Sequence, residues 1–174
     1  MTRPGPGQQP QRQGWDRLRP LRTPDVASAI YGTITANAVI AATAGHLPPG
    51  RTLLITVATL AVFWLAHVYA QALAHHLKGM TRLSWTAIAA AMSEERPMLE
   101  APAASLLVLL LGVVGLLGER AAVRIALWVG VVQLVAWGIA YARRQRWGWP
   151  AALVAGAVNG TFGLVIVALE VLLH

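Results

Sequence analysis

The chain has no cysteine, little charge and few acidic residues. Without cysteine it can form no disulfide framework, no thiolate-bound metal site and no cysteine-ligated iron–sulfur cluster. Charged residues make up 12% of its 174 residues, about half of the ~25% that is usual in a soluble domain. Asp and Glu together number seven against fourteen Lys and Arg, which gives a net charge of +7.

Hydrophobic residues make up 56% of the chain, its mean hydropathy is +0.56, and the apolar residues lie in long blocks. A soluble enzyme or a free nucleic-acid-binding domain of this size could not hide so much apolar surface from water. Backbone groups in hydrocarbon must be satisfied within their own segment, so each block should be helical. The sequence therefore predicts an all-α, polytopic membrane bundle of five transmembrane helices, at about 25–45, 52–77, 98–118, 121–142 and 150–173.

Two segments differ from these apolar blocks. Residues 1–24 contain five of the ten prolines and five arginines, a composition that predicts a disordered basic tail ahead of a membrane domain at 25–174. Residues 79–97 are too polar to cross the bilayer, and their helical spacing predicts a short helix at the membrane interface.

The cationic residues predict an orientation. If the N-terminus is cytoplasmic, five spans place eleven of the fourteen Lys and Arg residues on the cytoplasmic side, and leave Arg51, Arg120 and Arg124 on the other. The positive-inside rule therefore favours a cytoplasmic N-terminus. The positive charge is then a topology signal, and no nucleic-acid partner is expected. Abundant arginine and alanine beside a single lysine indicate a high-GC bacterial genome. Together with the apolar blocks, this composition predicts a multi-pass protein of a bacterial cytoplasmic membrane.

The second span contains the main polar constellation. His67, Gln71 and His75 are four residues apart, so they share one face of a helix. Polar side chains inside a membrane usually face the interior of the bundle or a water-filled cavity. A neutral imidazole can bind a divalent cation, and near neutral pH it can also transfer protons.

Three carboxylates, those of Glu94, Glu95 and Glu100, are predicted at the same membrane side as His75. Histidine together with carboxylate suits Zn²⁺, Fe²⁺ or Mn²⁺. We therefore predict that the protein transports or senses a small cation, either a divalent metal or a proton, through these residues. The sequence leaves a structural interpretation open, because a histidine at a helix C-terminus interacts with the dipole and a loop glutamate can simply be solvated.

Other intramembrane residues predict helix packing. The amides Asn37, Gln133 and Asn159 lie inside predicted spans, where they could line a pathway or form interhelical hydrogen bonds. The fifth span has small residues at close helical spacing. This pattern predicts close helix packing, within one protomer or in a homodimer through the fifth span, and its residues are Gly156, Gly160 and Gly163.

The sequence predicts no enzyme, because it has no G-x-S-x-G, H-E-x-x-H or phosphate-binding loop motif. The alternative to a cation transporter or sensor is a non-transporting membrane component, such as an assembly factor or a partner subunit. Its polar residues would then serve only to hold helices together within the lipid bilayer.

Three features of the chain are shared with a known family. They are Arg22-Thr23-Pro24-Asp25 before the first span, glutamates between spans two and three, and the final hairpin LWVGVVQLVAWGIAYARRQRWGWPAALVAGAVNGTFGLVIVALEVL. In these features the chain resembles the vacuolar iron transporter family, which implies a five-helix fold over residues 22–174 and ferrous iron as the family's cargo. Tyr31-Gly32 stands where that family has a metal-binding Asp-Gly, and His67 or Gln71 where it has a metal-binding methionine.

Overall fold

The computed structural model describes residues 26–77 and 85–173, and every regular element in those two ranges is an α-helix. In chain order the helices are α1 Val26–Thr43, α2 Pro49–Leu77, α3 Trp85–Glu94, α4 Arg96–Glu100, α5 Ala103–Val113, α6 Glu119–Arg144 and α7 Trp149–Leu173. The predicted all-α fold class is confirmed. The predicted tail at 1–24 and the first part of the predicted interfacial segment, 79–84, lie outside the described residues.

Four of the helices, α1, α2, α6 and α7, are long and apolar enough to cross a membrane. They contain 18, 29, 26 and 25 residues, whereas a crossing needs about 17–25. Their positions correspond to the predicted first, second, fourth and fifth spans. A chain with these helices is compatible with an integral membrane protein.

The predicted third span, 98–118, is divided differently in the structure. Residues 88–100 and α5 are long and apolar enough to cross a membrane only when they are taken together, and the two parts are bent by 55°. The bend lies at Ala101 and Pro102, because the proline nitrogen has no hydrogen to donate to the carbonyl of Met98 one turn earlier. The helix then ends at Val113, two residues before Gly115, whose φ is +79°. The described helices therefore provide four candidate crossings, or five if the bent pair is one broken span.

Helix α1 lies between the others and contacts α2, α4, α6 and α7. Its small residues permit this close packing. A Cβ at Gly32 would collide with the carbonyl oxygen of Met98 in α4, and Gly130 of α6 lies directly against the side chain of Asn37. Half of α1 is buried inside the bundle, and its membrane window has the lowest mean hydropathy of the four candidate spans.

The hairpin of α6 and α7 uses the small residues of the fifth span. A Cβ at Gly156 would lie 2.7 Å from Ile139, one at Gly160 would lie 2.7 Å from Val135, and one at Gly163 would lie 3.1 Å from Leu134. All three glycines therefore face α6 of the same protomer. The predicted homodimer would have to use another face of α7.

The contact between α1 and α4 generates a stability prediction. Replacing Gly32 with Ala places a Cβ against the backbone of Met98, which cannot move without shifting the helix. We expect the free energy of unfolding to fall by about 1–3 kcal/mol, as in other overpacked cores. Thermal or denaturant unfolding in detergent measures the change.

Gly50→Ala is the matched control. Gly50 lies in the first turn of α2, and a Cβ there would make an ordinary 3.7 Å contact with Val113. Alanine is a better helix former than glycine by about 1 kcal/mol, so this variant should be as stable as the parent or more so. Equal losses in the two variants would contradict the packing described for α1.

Candidate functional site

Glu95 is a carboxylate buried inside the bundle. It occupies the break between α3 and α4, with φ −88° and ψ 0°, and only 2% of the residue is exposed. At this N-cap position a side chain usually accepts a hydrogen bond from the following helix. The Glu95 side chain makes no such bond. It is directed towards α1 and α2 instead.

Two neutral side chains hold the Glu95 carboxylate. Ser28 Oγ of α1 donates a hydrogen bond to Oε2 at 2.7 Å, and Gln71 Nε2 of α2 donates one to Oε1 at 3.5 Å. Ser28 is 7% exposed, so the shorter bond is also buried. The carboxylate therefore joins α1, α2 and the junction between α3 and α4.

The surroundings of Glu95 are unfavourable for an ionised carboxylate without a bound cation. A hydroxyl and an amide supply dipoles to Glu95, but neither supplies the positive charge that normally accompanies a buried carboxylate. Ionisable residues buried inside membrane proteins usually mark an ion or proton site. A proton or a bound cation on Glu95 would remove that cost.

His67 lies one turn from Gln71 on the same face of α2 and is close to α1. Its ring centroid is 5.0 Å from that of Tyr31, which also contacts Phe63. His67 Nδ1 lies 3.0 Å from the carbonyl oxygen of Phe63. A carbonyl can only accept, so this geometry assigns a hydrogen to Nδ1 and, in the neutral ring, leaves the lone pair on Nε2.

The structure brings together only some of the predicted site residues. Gln71 contacts Glu95, whereas Glu94 is half-buried and Glu100 is exposed. The backbone of His75 belongs to α2, but its side chain lies outside the described residues. Within the described part of the chain, no group of three or more His, Asp or Glu side chains is arranged to hold a metal ion.

Glu100 lines two cavities, one on each side of α4. The first, of about 510 Å³, lies between α1, α4 and α6 and includes Gln133 and Arg144. The second, of about 700 Å³, lies between α2, α3 and α4, and its lining includes Ser93 and Arg96. Glu95 itself does not line this cavity, although Arg96, the next residue in the chain, does.

The three predicted intramembrane amides bond to backbone carbonyls. Asn37 is fully buried and donates to the carbonyl of Leu127 at 3.5 Å, which links α1 to α6. Gln133 donates to the carbonyl of Ala101 at 2.5 Å and accepts a hydrogen bond from Ser105, which links α6 to the bend before α5. Asn159 donates to Ala155 within its own helix. None of these contacts is to Glu95.

Ser28 is the site residue that the sequence analysis missed. It lies one turn before Tyr31 and two turns before Thr35, so these residues form a polar stripe on α1. That stripe was a usable signal, because hydroxyls at helical spacing in a membrane helix point to a polar partner on another helix. What the spacing cannot identify is the partner.

Comparison of the chain with protein-family models, curated proteins and solved structures finds no match. The function is therefore inferred from the geometry around Glu95.

The bond between Ser28 and Glu95 predicts an energetic coupling. Ser28→Ala should lower the free energy of unfolding by about 1–3 kcal/mol, because it removes the closer donor from a buried carboxylate. In a Glu95→Met background the same substitution should cost much less, since no charge is left unpaired. A double-mutant cycle in detergent measures the coupling.

Thr161→Ala is the matched control for loss of a hydroxyl. Thr161 is exposed and bonds only to the carbonyl of Ala157 in its own helix, at 2.9 Å. Its loss should change stability by about 0.5 kcal/mol or less. Strictly additive effects of Ser28→Ala and Glu95→Met would contradict the contact between them.

Proposed function

We propose that this chain is an integral membrane protein that transports or senses a small cation, and that Glu95 is the group that binds the cation. The observation that carries the proposal is the burial of the Glu95 carboxylate against two neutral donors, Ser28 and Gln71. A carboxylate is costly to keep in such a place. A buried carboxylate at this position is explained if the role of Glu95 is to bind and release a cation.

A proton fits the site better than a divalent metal. Divalent metals in proteins are usually bound by several charged or imidazole ligands, and the described residues contain no such group. A proton needs one carboxylate and neighbours that can donate or accept hydrogen bonds. The hydroxyl of Ser28 can do both, so it can stay bonded to Glu95 in either protonation state.

The surroundings of Glu95 support a route for that proton. A cavity of about 700 Å³ lies beside the break between α3 and α4 that holds Glu95, although Glu95 itself does not line it. Gln71 connects the carboxylate to the face of α2 that carries His67, whose Nε2 is able to accept a proton. We therefore place Glu95 at the mouth of the pathway and His67 one turn deeper.

Proton flux through purified protein in vesicles tests the proposal. Vesicles carrying the full chain and an internal pH-sensitive dye should respond to an imposed pH gradient faster than empty vesicles. Glu95→Gln keeps the size of the side chain but cannot release a proton, so its rate should fall to that of empty vesicles. Glu94→Gln, one residue away, should keep the parental rate.

The flux measurements distinguish a proton site at Glu95 from a divalent-metal site and from no role of Glu95 in transport. Equal flux in the parent and in Glu95→Gln would overturn the assignment of Glu95. Uptake of Mn²⁺ that requires Glu95, without proton flux, would replace the proton with a divalent metal. That second result would also restore the cargo class implied by the resemblance to vacuolar iron transporters.

A non-transporting partner subunit is the second candidate, and one observation favours it. Only 17% of the membrane window of α2 and 22% of that of α7 is buried inside the protomer, so both helices present broad apolar faces to lipid or to another membrane protein. Under this proposal the parent chain in vesicles would carry no flux of protons or Mn²⁺. It would also copurify from its native membrane with one defined membrane protein in fixed stoichiometry.

A further inference from the structure

A third cavity, lined by charged residues, lies at the end of the bundle away from Glu95. Its volume is about 600 Å³, and it is enclosed by the loop between α1 and α2, the first turns of α6 and the last turns of α7. Because α2 and α6 begin and α7 ends there, the cavity lies where the long helices leave the hydrocarbon. Lipid headgroups occupy that level of a bilayer.

The cavity contains both signs of charge in balance. Its lining includes Arg120 and Arg124 against Glu119 and Glu170, together with His46. The two arginines are four residues apart, so they lie on the same face of α6. Both are exposed, and within the described part of the chain no hydrogen bond or ion pair is recorded for either.

The local backbone adds positive potential to that of the arginines. Helices α2 and α6 both begin at the cavity wall, and each helix N-terminus carries a partial positive charge. Gly118, the N-cap of α6, has no side chain to accept a hydrogen bond from the first turn. These features favour a phosphate group, while Glu119 beside them favours an ammonium group.

We propose that this cavity binds the headgroup of a phosphoethanolamine lipid, with the phosphate on Arg120 and Arg124 and the ammonium group near Glu119. A purely anionic headgroup would be attracted by the arginines and repelled by the carboxylates. A cation would be attracted by the carboxylates and repelled by the arginines. The acyl chains have a surface to follow, because Leu169 and Val165, which precede Glu170 and lie towards the middle of α7, are each 50% exposed. The inference is independent of the function proposed for Glu95.

Native mass spectrometry of the full chain in detergent tests the proposal. We expect the protein to retain one phosphatidylethanolamine and to prefer it over phosphatidylglycerol, which has the phosphate but no ammonium group. A variant with both Arg120→Gln and Arg124→Gln should bind it about tenfold or more weakly, because each arginine near a lipid phosphate contributes to affinity. Arg51→Gln is the control, since Arg51 is near the same end but does not line the cavity.

A second variant keeps the test decisive if the double arginine variant fails to fold. Glu119→Gln should bind phosphatidylglycerol as well as phosphatidylethanolamine, because it removes the carboxylate that selects for the ammonium group. Equal lipid retention by the parent and both variants would overturn the proposal. Equally tight binding of soluble phosphoethanolamine, without acyl chains, would also overturn it and assign the cavity to a water-soluble zwitterion.

Discussion

The burial of α1 among its neighbours is the constraint on which the rest of the bundle depends. The helix is polar for a membrane span, and it contacts α2, α4, α6 and α7. Close approach on one side requires Gly32 against Met98, and on another it requires Gly130 against Asn37. Where α1 is buried, its polar side chains bond either to a neighbouring helix or back to the backbone of α1 itself, as Thr33 does.

The polar groups of α1 have two chemically different kinds of partner on other helices. Asn37 bonds to the backbone of α6, which holds the helices together without adding charge. Ser28 bonds to a carboxylate, which a purely structural design would avoid, because an apolar residue of similar size at position 95 would stabilise the bundle as well or better. The helix break at Glu95 and the bend at Pro102 enclose this carboxylate near the end of the bundle. Broken helices in membrane proteins often mark ion sites for the same reason.

Much of the fold could be predicted from the sequence, because long apolar blocks and their flanking charges identify membrane helices directly. The four long helices α1, α2, α6 and α7 were predicted close to their observed positions. The third crossing was not, because the effect of Pro102 depends on whether neighbouring helices accommodate a bend. Gly156 and its neighbours predicted close packing, but the identity of the partner helix required the tertiary structure.

The candidate site was predictable only in part. Spacing along α2 identified Gln71, and the acidic segment identified Glu95 as one of three glutamates. Which glutamate turns inward depends on the rotation of α4 about its axis, and that is set by the contact of Met98 with α1. Ser28 was missed because its partner lies on another helix. The sequence does not identify which residue a hydroxyl in an apolar helix will contact.

Infrared difference spectroscopy tests directly whether Glu95 exchanges a proton inside the bundle. Spectra of the purified full chain at acid and alkaline pH should differ by the C=O stretch of a protonated carboxylic acid in an apolar setting. We expect this band to be missing from Glu95→Gln and present in Glu94→Gln. The same difference band in the parent and in Glu95→Gln would contradict proton exchange at Glu95.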